Sequence, residues 1–209
     1  MGNKLLLIGG GGHCHSVLDS IISSGKYDEI GIIDYVECSY MGVKTIGTDD
    51  DLPRLFNEGW NDAFITVGSV GNTNVRHRLY ENVKSIGYNV PSVIDPTAVI
   101  AGDAIIGEGV FAGKRSVINA GAVLGECSII NSGAIVEHDC KIGSFTHVSP
   151  GAVLCGQVTV GNDSHIGAGA VVRQLINIGD NSLIGAGSVV VKDIGDNAKA
   201  YGNPCKVVS

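Results

Sequence analysis

A repeat with a period of six residues runs through the second half of the chain and constrains the fold more than any other feature. Cutting the chain from Ile94 to Gly195 gives 102 residues, or 17 hexads without a gap, and sixteen of the seventeen first positions are Ile, Leu or Val. The fifth position is Ala, Ser, Thr or Cys in thirteen hexads. A helix cannot use this period, because the apolar positions would rotate around it. The repeat therefore predicts a parallel β-helix, and sixteen matches argue against the alternative, a glycine-rich sandwich with accidental spacing.

Composition supports a folded chain and excludes several classes of function. Glycine accounts for 31 of 209 residues, about twice its usual share, as tight repeated turns require. The net charge of −7 and the lack of a Lys/Arg cluster argue against duplex nucleic acid as a partner. Apolar runs are too short to span a membrane. The N-terminus has no signal-peptide core, and the six cysteines show neither a CxxC pair nor zinc spacing. Free thiols in a reducing compartment are the expectation, and we predict a cytoplasmic protein.

The first part of the chain follows a different pattern, in which buried strands alternate with amphipathic helices. This alternation indicates a parallel sheet with crossover connections. We therefore predict a Rossmann-like α/β domain over residues 1–93 and a β-helix domain over residues 94–209. The predicted strands are Lys4–Ile8, Glu29–Asp34, Ala63–Val67 and Val90–Ile94, and the predicted helices are His13–Ser24, Asp49–Glu58 and Asn72–Ile86.

Three motifs make the whole chain resemble a known family. They are GGGGH near the start, IVEHDCKIG in the middle of the repeat and AYGNPCKVV at the end. Together with the hexads they resemble the left-handed β-helix acyltransferases, and more narrowly the sugar acetyltransferases that act on UDP-4-amino-sugars or sialic acids. The resemblance implies a left-handed β-helix, acetyl-CoA as the co-substrate, and a homotrimer in which the catalytic base meets CoA in a cleft between subunits.

His138 is the candidate catalytic residue. It is the third residue of its hexad and is predicted to point outward, with the small residues Ala120 and Gly156 one coil away on either side. An amine that attacks a thioester must lose a proton, and a histidine suits that task because its unperturbed pKa is near 6.5. The resemblance makes His138 the base and Asp139 its acidic partner. Glu137 precedes it, so the sequence leaves open which carboxylate orients the ring.

The resemblance also assigns residues to acetyl-CoA. His147 corresponds to a residue that contacts the acetyl group, while Gly156, Ala168 and Ala186 would line the pantetheine arm. Without the resemblance, such small residues are ordinary in a Gly/Ala-rich repeat. His165 stands 18 residues after His147, so the two should stack in adjacent coils; lacking a family match, His165 is interpreted as ordinary surface. A metal site needs a third ligand, which is not evident, so we predict no metal.

The run Gly9–Gly12 follows a strand and opens a helix, as expected of a turn that binds phosphate. Asp34, about 20 residues on, fits a contact to a ribose or sugar. Cys14 replaces the third glycine of a dinucleotide fingerprint and the second mononucleotide half is missing, so one nucleotide-sugar is favoured over NAD. The resemblance assigns the sugar nucleotide to Gly11, Gly12, His13, Asp34, Tyr35 and Gly68.

The resemblance, together with these residues, therefore implies an enzyme that transfers an acetyl group from acetyl-CoA to the 4-amino group of a UDP-4-amino-4,6-dideoxy sugar. One alternative is O-acetylation of sialic acid or a related sugar. Another is a non-catalytic regulator that binds a nucleotide-sugar, and a complete His138–Asp139 pair argues against it. The missing half-domain argues against a nucleotide-dependent oxidoreductase.

Overall fold

The computed structural model describes residues 2–208 and divides into two compact units. The first unit runs to Gly68 and continues with Asn74–Pro96, and the second comprises Ser69–Thr73 and the chain from Thr97 onward. Within residues 2–208, no helix is both long enough and apolar enough to cross a membrane.

The first unit is built on a five-stranded sheet flanked by helices. Its elements are β1 (Lys4–Ile8), α1 (Gly12–Ser24), β2 (Glu29–Ile33), β3 (Ser39–Tyr40), β4 (Val43–Gly47), the 3₁₀ turn Asp49–Asp51, α2 (Leu52–Asn57), β5 (Asp62–Ile65), α3 (Asn74–Ile86) and the short strand β6 (Val93–Ile94). The strand order in the sheet is β3-β4-β2-β1-β5. β1 is parallel to β2 and β5, β2 is parallel to β4, and β3 is antiparallel to β4.

The helices of this unit follow their sequence signals. Buried Val17, Leu18 and Ile21 give α1 its apolar stripe, with the spacing of one helix face. Gly25, in the left-handed conformation at φ 62°, ends this helix. The predicted helix Asp49–Glu58 is divided into the 3₁₀ turn and α2, because Thr48 and Asp51 form a capping box around the tight first turn.

The second unit is a β-helix, and from Val99 to Val190 its two-residue strands each pair in parallel with the strand 18 residues away. Three sheets form three faces, which we name A, B and C. Face A contains Val99–Ile100, Val117–Ile118, Ile135–Val136, Val153–Leu154, Val171–Val172 and Val189–Val190. Face B contains Ile105–Ile106, Val123–Leu124, Lys141–Ile142, Thr159–Val160 and Asn177–Ile178. Face C contains Phe111–Ala112, Ile129–Ile130, His147–Val148, His165–Ile166, Leu183–Ile184, Lys199–Tyr201 and the antiparallel Lys206–Val207.

The hexad positions explain the coil. First positions from Ala112 to Val190 and fifth positions from Val110 to Ser188 are buried, so they form the core. Each fourth position from Gly109 to Gly187 has a positive φ, which the chain needs to turn sharply at a corner. Six of these fourteen corner residues are glycines. The others accept the left-handed conformation, for which Asn and Asp carry the smallest penalty.

Candidate active site

His138 lies at the corner between face A and face B, which we call corner AB. The preceding strand is Ile135–Val136 and the following one is Lys141–Ile142. Both His138 and Asp139 are exposed, with 54% and 59% of their side chains accessible. Asp139 takes the positive φ of 58° that this corner requires, and this conformation directs its carboxylate back toward the preceding residue.

The two side chains form a hydrogen bond that fixes the imidazole tautomer. Nδ1 of His138 lies 2.9 Å from Oδ2 of Asp139, and a carboxylate only accepts hydrogen bonds. Nδ1 therefore carries the proton, and Nε2 keeps a free lone pair. Glu137 does not bind the ring: its Oε2 accepts from the backbone N–H of His138 at 3.2 Å and from Nδ2 of Asn119 at 3.0 Å. The carboxylate that orients the imidazole in this structure is Asp139.

Gly156, one coil further on, keeps the space beside Nε2 clear. A Cβ added at Gly156 would meet Nε2 of His138 and lie 2.6 Å from Cε1, closer than real Cβ atoms come. The surrounding cavity has a volume of about 400 Å³ and is lined by Glu137, His138, Cys155, Gly156, Gln157, Gln174 and Leu175. The imidazole therefore borders a cavity at a point where residue 156 contributes no side chain.

Ala168 and Ala186 are exposed but lie at a different corner, between face C and face A. We call it corner CA. Ala168 follows the strand His165–Ile166, and Ala186 stands one coil further on. Within one chain the structure therefore does not bring these alanines together with His138 and Gly156, although both corners flank face A.

His147 lies on face C, and both of its ring nitrogens are engaged inside the second unit. Nδ1 lies 3.1 Å from the carbonyl oxygen of Ser69, and Nε2 lies 3.1 Å from Nδ2 of Asn131. Since Oδ1 of Asn131 accepts the N–H of Ser132 at 2.7 Å, its Nδ2 donates to Nε2. His147 is thus neutral with its proton on Nδ1. Its predicted contact with the acetyl group stays a prediction.

The interpretation of His165 as ordinary surface is wrong. His165 is only 8% exposed, and its ring packs edge-on against His147 with centroids 5.0 Å apart. Residues Ser69–Thr73 belong to the same unit, with Ser69 at His147 and Thr73 hydrogen-bonded to Asp163 at 2.6 Å. The hexad pattern could not show this, because the covering residues come from another part of the chain.

We expect His165 to lower the free energy of unfolding of the protein as the pH becomes acidic. Burial lowers its pKa from the ordinary 6.5, and the Ser69 carbonyl opposes this shift. Because the folded protein favours the neutral imidazole, His165 contributes fully to the free energy of unfolding above its ordinary pKa of about 6.5. This contribution is lost as the pH falls toward the lower pKa of the folded state. The thermal midpoint should drop less between about pH 7.5 and about pH 5.5 in His165→Gln than in the parent protein. Equal slopes in the variant and the parent protein would contradict the expectation.

The predicted nucleotide residues lie together at the carboxyl edge of the first unit's sheet. The backbone N–H of Gly10 donates to Oδ2 of Asp34 at 2.6 Å, and Oδ1 of Asp34 accepts the N–H of Val36 at 2.9 Å. A Cβ added at Gly68 would lie 3.6 Å from Cβ of His13. The ends of β1, β2 and β5 thus meet as the parallel arrangement predicts.

The glycine turn presents an open helix N-terminus. Neither Gly11 nor Gly12 has a neighbouring atom within 4 Å of an added Cβ. Gly11 caps α1 without a side-chain hydrogen bond, and the first turn of α1 contains no acidic residue. Such an end favours an anion, because its N–H groups and the helix dipole point toward the ligand.

Among residues 2–208, no group of three or more His, Cys, Asp or Glu side chains is arranged to hold a metal ion. The six cysteines are free thiols. Burial raises the pKa of Cys140 to about 11 and that of Cys14 to about 11, so neither thiol is set up as a nucleophile.

Comparison with known protein families assigns both units. The PglD N-terminal domain matches residues 4–83, the bacterial transferase hexapeptide (six repeats) matches residues 139–174, and the hexapeptide repeat of succinyl-transferase matches residues 103–138, 157–192 and 175–199.

Solved structures match over almost the whole chain. The acetyltransferase domain of PglB from Neisseria gonorrhoeae FA1090, in complex with acetyl coenzyme A, is 38% identical with a TM-score of 0.94, covering 100% of both chains. A histidine-to-asparagine mutant of perosamine N-acetyltransferase from Caulobacter crescentus, in complex with CoA and GDP-perosamine, is 34% identical with a TM-score of 0.94, covering 99% of this chain and 97% of that one. WeeI from Acinetobacter baumannii AYE, at 22% identity and a TM-score of 0.81 over 98% and 99% of the two chains, shares the fold.

The chain belongs to the sugar acetyltransferases of the hexapeptide-repeat family. The predictions of an enzyme and of a Rossmann-like unit followed by a left-handed β-helix are confirmed. Relatives are solved with the predicted co-substrate, acetyl-CoA, or with CoA.

Proposed function

We propose that this protein transfers the acetyl group of acetyl-CoA to the 4-amino group of a UDP-4-amino-4,6-dideoxy sugar. A relative described as an acetyltransferase domain supports acetyl transfer, and one described as a perosamine N-acetyltransferase supports an amine as the acceptor. The observation that carries the proposal is the tautomer of His138, whose Nδ1 donates to Asp139 at 2.9 Å while Nε2 lies beside Gly156 at the cavity.

The reaction follows from that lone pair. A neutral amine attacks the thioester carbonyl and forms the C–N bond, while Nε2 of His138 removes the proton that the nitrogen must lose. The Asp139 carboxylate stabilises the imidazolium that results. The C–S bond then breaks, and the proton passes from the imidazolium to the leaving thiolate. The products are the amide and free CoA, and His138 returns to its starting form.

Ala168 and Ala186, which are predicted to line the pantetheine arm, can contribute to the same active site as His138 if they come from a second copy of the chain. Face A presents an unbroken outward column of Val or Ile, whereas face B turns polar at Lys141. The outward residues of face A are Val99, Val117, Ile135, Val153, Val171 and Val189, of which Val99 is 62% exposed. Because corner AB and corner CA flank face A, burying this face against other copies would bring corner AB of one copy beside corner CA of the next. This supports the proposal of a homotrimer with acetyl-CoA in the cleft.

Val171→Asp should disrupt that assembly, because it places a charge in the apolar column of face A. We expect light scattering to give about three times 21.5 kDa for the parent and a value near 21.5 kDa for the variant, with loss of acetyl transfer. The control is Asn177→Asp, which changes the outward position of face B and should remain trimeric. A parent protein that is a fully active monomer would contradict the inter-subunit site.

The nucleotide end of the sugar substrate is proposed to lie at Gly11, Gly12, His13, Asp34, Tyr35 and Gly68. Its support is the open N-terminus of α1, which would hold the diphosphate. Asp34 shapes this turn through its hydrogen bond to Gly10, so it positions the backbone that meets the phosphate.

A panel of acceptors tests the proposed function. The protein is incubated with acetyl-CoA and either UDP-4-amino-sugars or sialic acids, and the release of free thiol is followed. Thiol release that requires the UDP-4-amino-sugar supports the proposal. Thiol release with sialic acid alone would support O-acetylation. If none of the acceptors causes thiol release, the panel gives no support for an acetyltransferase function.

A further inference from the structure

Gly121 lies next to the carboxylate of Asp139, one coil earlier at corner AB. A Cβ added at Gly121 would lie 2.6 Å from Oδ1 of Asp139, closer than real Cβ atoms come to another heavy atom. The same Cβ would lie 3.6 Å from Cγ and 3.7 Å from the backbone nitrogen of Asp139, and both are ordinary contact distances. A side chain at residue 121 would therefore collide with the carboxylate oxygen and with no other atom of the coil.

The backbone conformation at Gly121 does not by itself require glycine. Gly121 has a φ of 68°. The other corner AB residues with a positive φ all carry side chains, and they are Asp139, Gln157 and Leu175, with φ values from 58° to 64°. Gln157 also stands one coil after Asp139, just as Asp139 stands one coil after Gly121. What distinguishes residue 121 is its contact with the carboxylate that orients His138.

The carboxylate of Asp139 cannot move away from residue 121 and keep its hydrogen bond to His138. Its two oxygens belong to one planar group, in which Oδ1 faces Gly121 and Oδ2 lies 2.9 Å from Nδ1 of His138. The backbone N–H of Asp139 donates to the carbonyl oxygen of Ala120 at 2.9 Å, so the main chain is held and the side chain has to rotate. Rotation takes Oδ2 out of line with Nδ1, and a misaligned hydrogen bond weakens steeply.

We propose that Gly121 is a positioning residue, because the lack of a side chain at this corner lets Asp139 fix the Nδ1–H tautomer of His138. The proposal rests on the proposed function, in which Nε2 of His138 carries the lone pair that takes the proton of the attacking amine. With a side chain at residue 121, the ring would lose its partner at Nδ1 and the Nε2–H tautomer would become populated. That tautomer has no lone pair at Nε2, so it cannot act as the base.

Gly121→Ala is expected to lower kcat at least about tenfold, since a displacement of about 1 Å in a reacting group can cost about 10²-fold. Steady-state thiol release measures this. The matched control for the left-handed conformation is Gly25→Ala. Gly25 has a φ of 62°, lies in the first unit, and has no atom within 4 Å of an added Cβ. The control should keep the parent kcat, and a Gly121→Ala variant with the parent kcat would overturn the proposal.

Nitrogen NMR of the imidazole measures the tautomer directly and needs no substrate. The signals of His138 are identified in the ¹⁵N-labelled protein by their absence from His138→Gln. At a pH at which the ring is neutral, they should show the proton on Nδ1 in the parent and in Gly25→Ala. In Gly121→Ala the Nε2–H tautomer should gain a substantial share. Unchanged His138 signals in that variant would overturn the proposal.

A double-mutant cycle shows whether Gly121 acts through Asp139. The Asp139→Gly background has no carboxylate for the added Cβ to displace. Adding Gly121→Ala to it should therefore change neither kcat nor the tautomer ratio of His138, because the two residues act as one unit. A loss of the same factor in both backgrounds would show that residue 121 acts through the main chain, and the positioning role would be wrong.

The two measurements also separate this proposal from the proposed function. If the tautomer changes as expected but the parent protein acetylates no UDP-4-amino-sugar, Gly121 positions Asp139 and the proposed function is wrong. If the parent acetylates the sugar while Gly121→Ala keeps the parent kcat and the parent tautomer, the positioning role is wrong and the proposed function remains.

Discussion

Replacing His138 with Ala is expected to lower kcat by about 10² to 10⁴, the usual contribution of a positioned general base. The variant removes the lone pair at Nε2 and should leave the coil intact, because more than half of the side chain is exposed at corner AB. The KM for acetyl-CoA and the thermal midpoint should be nearly unchanged. Steady-state thiol release with a UDP-4-amino-sugar, together with a melting curve, measures both.

Asp139→Asn serves as the companion to this variant. An asparagine amide that donates to Nδ1 would shift the ring proton to Nε2 and leave a base with its lone pair on the wrong nitrogen. We expect kcat to fall with little change in stability, since ion pairs between exposed groups contribute little. If His138→Ala stays within a few-fold of the parent, His138 is not the base. If it loses its fold, the experiment has measured a structural role.

Gly156→Ala is expected to lower kcat by about 10²-fold, the size of effect that a displacement of about 1 Å can produce in a reacting group. The added Cβ would lie 2.6 Å from Cε1 of His138, so the imidazole has to move. Because an exposed side chain moves easily, the protein should fold normally while the base is misplaced. Kinetics and a melting curve on the same preparation separate the two effects.

Gly102→Ala is the matched control for this substitution. Gly102 occupies the same hexad position two coils before His138, and a Cβ added there would have no neighbour within 4 Å. It should leave kcat at the parent value. Equal activity of the two variants would show that the space beside Nε2 is not used in the reaction.

The sequence predicted the elements that depend on local pattern. The hexads predicted the strand positions, because each first position must point into a narrow core. The strand β1 and the helix α1 were predicted closely from a buried apolar run and from an apolar stripe with helical spacing. The hairpin of β3 and β4 was missed. Its turn uses Met41 and Gly42, both with positive φ, and methionine is not a residue that signals such a turn.

The site was predicted in part. The order of His138 and Asp139 in the sequence pointed to the pair, but the choice between Glu137 and Asp139 needed the corner geometry that turns Asp139 onto the ring. The burial of His165 depends on residues far away in the chain.

The most direct test of the central claim is the structure of the product. A UDP-4-amino-4,6-dideoxy sugar is incubated with the protein and acetyl-CoA, and the sugar is examined by nuclear magnetic resonance and mass spectrometry while free thiol is measured. The account predicts one acetyl group as an amide on the C4 nitrogen, with one equivalent of thiol released for each product formed. An unchanged sugar, or an acetyl group on a hydroxyl oxygen, would contradict it.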